Sequence, residues 1–153
     1  MVGLNDEIED LVQATFFEIY RSFGRFEGRS KLSTWVYRVA VNVALQYLRK
    51  KKRKRWLMLG TSGEETERLV TRGDPDQRLE DRQILEFVYA AADTLSEKKR
   101  TVWVLHELQG LDPTTISAIV KVPVNTVRSR LLAARREVLA ELRSRRVIPE
   151  VGS

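Results

Sequence analysis

"PTTISAIVKVPVNTVRSRLLAARRE", residues 113–137, is the stretch whose reading decides the fold. It reads as two short helices folded around the Val122-Pro123 corner. Asp112 ahead of Pro113 supplies a cap followed by proline at the first helical position, where its missing N–H costs nothing. Setting Val127 at zero and advancing 100° per residue brings Val127, Leu131, Ala134 and Val138 within about 60° of one another. That stripe must pack on the helices before it. The opposite side carries Ser129, Leu132, Ala133 and Arg136, with Arg128, Arg130 and Arg135 on the flanks. A major groove admits one helix, whose outward side chains read base edges while flanking arginines hold phosphates. A solvated surface helix of a bundle would show the same arginines. The compact preceding helix and the proline corner favour the groove, because together they form a helix-turn-helix unit.

Upstream the pattern is helical throughout. Glu97 begins a helix that Ser96 caps and Gly110 stops, and another resumes at about Leu79 with Ile84, Leu85, Val88, Tyr89 and Ala92 on one stripe. Residues 59–77, "LGTSGEETERLVTRGDPDQ", lose periodicity and gather turn formers, as a linker does. Near the start, Ile8, Leu11, Val12, Thr15, Phe16, Ile19, Tyr20 and Phe23 recur at three- and four-residue steps. They predict one amphipathic helix over Asp6 to Phe23, capped by Asn5 or Asp6 and stopped by Gly24. A second helix starts at about Ser30 and runs out into "RKKKRKR", residues 49–55. Two helices with one stripe each make a small core, so this segment lacks an element or borrows one from a partner. No alternation persists long enough for a strand. The expected fold is all-α, two small helical domains on one tether.

The totals fit a soluble, intracellular protein with a polyanionic partner. The 153 residues carry 27 basic against 21 acidic side chains, a formal charge of +6. Its distribution says more: residues 1–20 hold five acids and no base, whereas 49–55 are seven bases unbroken. One end is built for a different partner from the other. Without cysteine there is no disulfide framework, thiolate metal site or thiol nucleophile, and no apolar run is long enough for membrane insertion. His106 is the sole histidine, and no nucleophile–base set, phosphate-cradling loop or carboxylate pair stands out. Neither enzymatic activity nor a cofactor is expected.

Taken together, "DEIEDLVQATFFEIYRSFGRFEGRSKLSTWVYRVAVNVALQYLRKKKRK" and, after the tether, "TLSEKKRTVWVLHELQGLDPTTISAIVKVPVNTVRSRLLAARREV" closely resemble the extracytoplasmic-function group of bacterial sigma factors of the sigma-70 family. The likeness covers about Asp6 to Val138, with two separate motif sets in the family's order. It implies a promoter-specificity subunit of RNA polymerase, cytoplasmic, with 1–56 a sigma2-like domain, 57–78 a flexible linker, 79–148 a sigma4-like helix-turn-helix domain and 149–153 a tail. By the same resemblance, Asp10, Gln13 and Phe17 match the face that docks on core polymerase. Phe26, Arg29, Ser30, Lys31, Thr34, Arg38, Asn42, Arg49 and Lys50 match the surface that melts the minus-ten element and holds its single non-template strand. Asn125, Thr126, Arg128, Ser129, Arg130, Leu132, Ala133 and Arg136 match the helix that reads the minus-thirty-five duplex. An anti-sigma factor is an implied partner.

The chain also departs from the family pattern. Family members begin with another helix ahead of the acidic one, and Ala14, Val41, Gln46 and Ala133 replace charged residues common in the family. These departures favour a second reading, a sigma-like decoy that captures an anti-sigma factor without initiating transcription. Trp35 and Trp103 read as core before DNA wedge, and His106 as a surface or phosphate-facing group.

Overall fold

A computed structural model of the chain describes residues 4–59 and 79–147. Of the linker expected over 57–78, residues 60–78 lie outside the described residues, as does the tail expected over 149–153. Six helices are present among those described: α1 (Leu4–Ser22), α2 (Leu32–Leu59), α3 (Leu79–Asp93), α4 (Glu97–Trp103), α5 (Pro113–Val120) and α6 (Val124–Ser144), with no strand. They fall into two compact units, one built on α1 and α2 and the other on α3, α4, α6 and most of α5. Helical structure in α2 reaches Leu59, three residues past the boundary expected at 56.

In the first unit, α1 starts at Leu4, so Asn5 and Asp6 lie inside its first turn rather than capping it. Asp6 and Glu7 there sit at the positive end of the helix dipole. A 3₁₀ turn, Phe23–Arg25, ends the helix around Gly24. The single apolar stripe expected on α1 is divided. Leu11, Thr15 and Ile19 are half-buried on the side that α2 covers, whereas Ile8, Val12, Phe16, Tyr20 and Phe23 are exposed. From Leu11 round to Tyr20 these positions span about 180° of the helix, more than one neighbouring helix can shield. Among the described residues of α1 and α2 no hydrophobic side chain is fully buried. An ion pair closes the hairpin's end, Lys51 Nζ donating to Glu7 Oε2 at 2.9 Å. That bond, a second from Tyr47 and the nearby Lys54 hold the Glu7 carboxyl below its ordinary range.

The second unit has a true core. Ala91, Ala92, Leu95, Trp103, Ala134, Val138 and Leu142 pack together, with Phe87, Val88, Val104 and Val147 against them. Ile84, expected on the buried stripe of α3, is exposed instead: it lies on the same side as Ala91 but about two turns nearer the start of the helix, before the residues packed in the core. Ser96 stands at the N-cap of α4 but makes no side-chain cap bond. After Trp103 the helix widens into one π turn, Val104–Leu108, in which Gln109 N–H reaches back five residues to Val104 O at 3.2 Å. Gly110 then ends it at φ 68°, a left-handed conformation that a Cβ would strain. Its N–H bonds His106 O and that of Leu111 bonds Leu105 O, the paired closure of a Schellman motif.

The Asp112 cap is formed as the sequence reads. Its Oδ1 accepts from the Thr114 and Thr115 N–H groups at 2.9 and 3.0 Å, and its Oδ2 from Thr115 Oγ1 at 2.6 Å. The Thr115 bonds come first in holding this carboxyl below its usual range. The folded pKa is depressed, so the cap's contribution is complete above the unfolded aspartate value of about 3.9 and fades as pH falls through the folded one. Asp112→Ala therefore lowers the melting temperature at pH 7, and the gap from wild type closes as pH falls through the depressed folded value. A gap that persisted unchanged into acid, in thermal melts followed by circular dichroism, would show that the carboxylate is not the source.

Candidate nucleic-acid interface

Helix α6 owes its direction to the corner before it. Pro123 sits at the N-cap with its carbonyl accepting from the Thr126 and Val127 N–H groups, and Ser117 Oγ ties α5 to the corner by donating to Val122 O at 2.6 Å. Lys121 takes φ 55° to make the bend. Val127, Leu131, Ala134, Val138 and Leu142 of α6 are all buried. A helix so fixed along one side presents its other side as a rigid edge.

On that other side Asn125, Arg128, Ser129, Leu132 and Arg136 are exposed. By helical geometry they fall within about 100° of arc. Arg128 leans toward Asn125 Oδ1 at 3.4 Å and Ser129 Oγ donates to Thr126 O at 3.0 Å, so the helix's first turns hold their own polar side chains in place. Thr126, Arg130 and Ala133 are half-buried and lie on the flank. Arg135 is exposed but engaged, its Nε donating to Glu107 Oε1 at 2.6 Å, and Lys99 pairs with Glu137. Nothing in the sequence spacing signals these two tethers, because both partners come from other helices. Trp103 is core, as read, and His106 Nδ1 lies 2.7 Å from Leu111 O, a contact in which the ring nitrogen donates.

The residues matched to the minus-ten surface divide by exposure. Arg29, Lys31, Asn42, Arg49 and Lys50 are exposed, and Arg29 pairs with Glu27 at 2.8 Å. Ser30 and Arg38 are half-buried. Phe26 is packed against Trp35 with ring centroids 5.4 Å apart, and Phe23 stacks on it at 6.4 Å. Phe23 also meets Trp35 edge-on at 6.1 Å, so the three rings form one cluster beside the loop. Trp35 is thus a packing residue and Phe26 the wall that shapes the loop. Thr34 departs from the expectation of a DNA contact: it is 6% exposed. A short side chain in the first turn of α2, between Lys31 and Trp35, lies below the level those longer groups reach.

Asp10, Gln13 and Phe17 are all exposed on α1 and lie within about 60° of one another. They form a narrow face distinct from the side toward α2. Among the described residues, no cluster of His, Asp or Glu could hold a metal ion, and no helix is long and apolar enough to cross a membrane.

Comparison with known proteins agrees with this partition. Residues 1–54 match the family model of Sigma-70 region 2, and residues 85–138 that of Sigma-70, region 4. The chain is 33% identical over 138 residues to the ECF RNA polymerase sigma-E factor of Escherichia coli K12, covering 86% of this chain and 72% of that one. It is 35% identical over 139 residues to the sigma-E factor of Haemophilus influenzae, covering 88% and 73%. Among solved structures it is similar to the sigma factor RpoE of Bartonella quintana, crystallised with the anti-sigma factor NepR, at a TM-score of 0.70 and 25% identity over 90% of this chain and 82% of that one. With both regions matched in order and a third of its residues shared over most of its length, the chain belongs to the extracytoplasmic-function sigma factors of the sigma-70 family.

Proposed function

We propose that the chain directs promoter recognition and transcription initiation by RNA polymerase through three separate surfaces. The outward side of α6 enters the major groove of the minus-thirty-five element, with Asn125, Arg128, Ser129, Leu132 and Arg136 at base edges and Arg130 at phosphate. The loop around Phe26 to Lys31, with Arg38, Asn42, Arg49 and Lys50, holds the minus-ten non-template strand. Asp10, Gln13 and Phe17 grip core polymerase. The work is done in the cytoplasm, the chemistry belongs to the polymerase, and an anti-sigma factor regulates release, as the Bartonella quintana complex suggests. The first domain extends to the end of α2 at Leu59 and the second spans 79–148, with 60–78 as the linker between them.

One observation carries the reading: α6 buries Val127, Leu131, Ala134 and Val138 and leaves Arg128 and Arg136 outside. The test is run-off transcription by core polymerase with this chain over a library of promoter sequences; failure to initiate at any would remove the assignment. The uncovered stripe of α1 favours the decoy as a second reading. A pull-down separates the two, since a decoy does not hold core polymerase. Asp10→Arg should lower core association at least about tenfold, like charge replacing an exposed docking acid, and leave duplex binding intact. Loss of duplex binding instead would place the docking face elsewhere.

A further inference from the structure

The last turn of α2 has no role in any of the three surfaces. Glu7 pairs with Lys51, about two turns before α2 ends at Leu59. In that last turn Trp56, Leu57 and Met58 are 66%, 70% and 74% exposed, three large apolar side chains in succession wrapping about 200° of the helix. Immediately behind them stand the seven bases of 49–55, which at 100° per residue ring the helix on every side. Arg49, Lys50, Lys52, Arg53 and Lys54 are exposed.

We propose that this basic collar and apolar last turn form a docking surface for an anionic phospholipid bilayer. The order along the helix matches the order of layers at such a surface. The apolar turn enters the acyl boundary, and lysine and arginine stems reach back to the headgroups. Tryptophan favours that boundary, where its ring is buried and its N–H stays wet. Each basic side chain near an anionic surface strengthens binding about fivefold. Nucleic acid would satisfy the collar alone. Trp56 could stack on a base, but Leu57 and Met58 have no π-face and would stay in water. The chain thus lies against the membrane and does not span it, with its promoter-reading helix on a separate unit.

The test is co-sedimentation of the full chain with phosphatidylcholine vesicles containing or lacking about 30% phosphatidylglycerol, run beside binding to a non-specific DNA duplex. Wild type binds the anionic vesicles at least about tenfold more tightly than the neutral ones, and 0.5 M salt releases it. Replacing Trp56, Leu57 and Met58 together with serine lowers vesicle affinity at least about tenfold and leaves duplex affinity unchanged. Single Trp56→Ser repeats the comparison should the triple variant fold poorly. Absence of vesicle binding overturns the proposal, as does a triple variant that binds vesicles like wild type, for then charge alone acts. Parallel loss of duplex binding overturns it too, because the apolar turn would then serve nucleic acid.

Discussion

Replacing Arg128 and Arg136 together with alanine lowers affinity for the minus-thirty-five duplex on the order of a hundredfold or more and leaves the fold intact. Both side chains are exposed on the outward side of α6, a turn or two from one another, with Leu132 between them. Each bidentate arginine–guanine contact is worth about 1–3 kcal/mol of discrimination, so two removed together account for the loss. The buried side of the helix is untouched, and the melting temperature should stay within a degree or two of wild type. Anisotropy titrations against matched and scrambled duplexes over a salt series measure both consequences. The variant loses its preference for the matched site, and its salt slope flattens only slightly, because phosphate contacts elsewhere remain. If the matched duplex were bound as before, α6 would not be the reading helix. Arg135→Ala makes the internal contrast: that side chain is held by Glu107 and its loss weakens all duplexes alike, if at all.

The largest effect on stability belongs to Ile116. It lies in α5 with 0% exposure, and Ile116→Ala removes three buried carbons and leaves a cavity, at a cost of about 2–5 kcal/mol. Domains of this kind have a total stability of about 5–15 kcal/mol, so the variant stands near the edge of unfolding. Ile84→Ala is the control, since that side chain is 52% exposed and its truncation should cost no more than about 0.5 kcal/mol. Urea titrations followed through the emission of buried Trp103 compare the two. Equal shifts in midpoint would mean that the second unit is packed otherwise than described. Because α5 is the positioning helix of the corner, partial unfolding there should also abolish duplex binding before α3 melts.

Much of this architecture is readable from spacing alone. The buried side of α6 follows from the three- and four-residue steps of Val127, Leu131, Ala134 and Val138, because a long helix with one partner surface has one solution. The Asp112 cap and the Gly110 stop are local chemistry, set by side chains two or three residues away, and they are found where the sequence puts them. What spacing cannot supply is the width of the covering surface. The stripe on α1 reads as one face, yet only its Leu11–Thr15–Ile19 edge meets α2. Exposure of Ile84 is likewise a matter of how far the covering surface reaches, since it shares a side of α3 with Ala91 but lies about two turns before it. The candidate sites divide likewise. The α6 residues lie outward because their opposite side is pinned, whereas Phe26 is set by through-space packing on Trp35 that no short pattern records. The two ion pairs that brace α6, through Glu107 and Lys99, depend on which helices become neighbours.

The π turn at Val104–Leu108 fixes a count as well as a shape. One more residue is taken up there than an α-helical turn holds, so the turn is a reserve of length between Trp103 in the core and Asp112 at the head of α5. Deleting one residue from it lets the turn close as an ordinary α-helical one and keeps the downstream helices in register, whereas the same deletion within α4 would turn everything after it by roughly 100° about the axis.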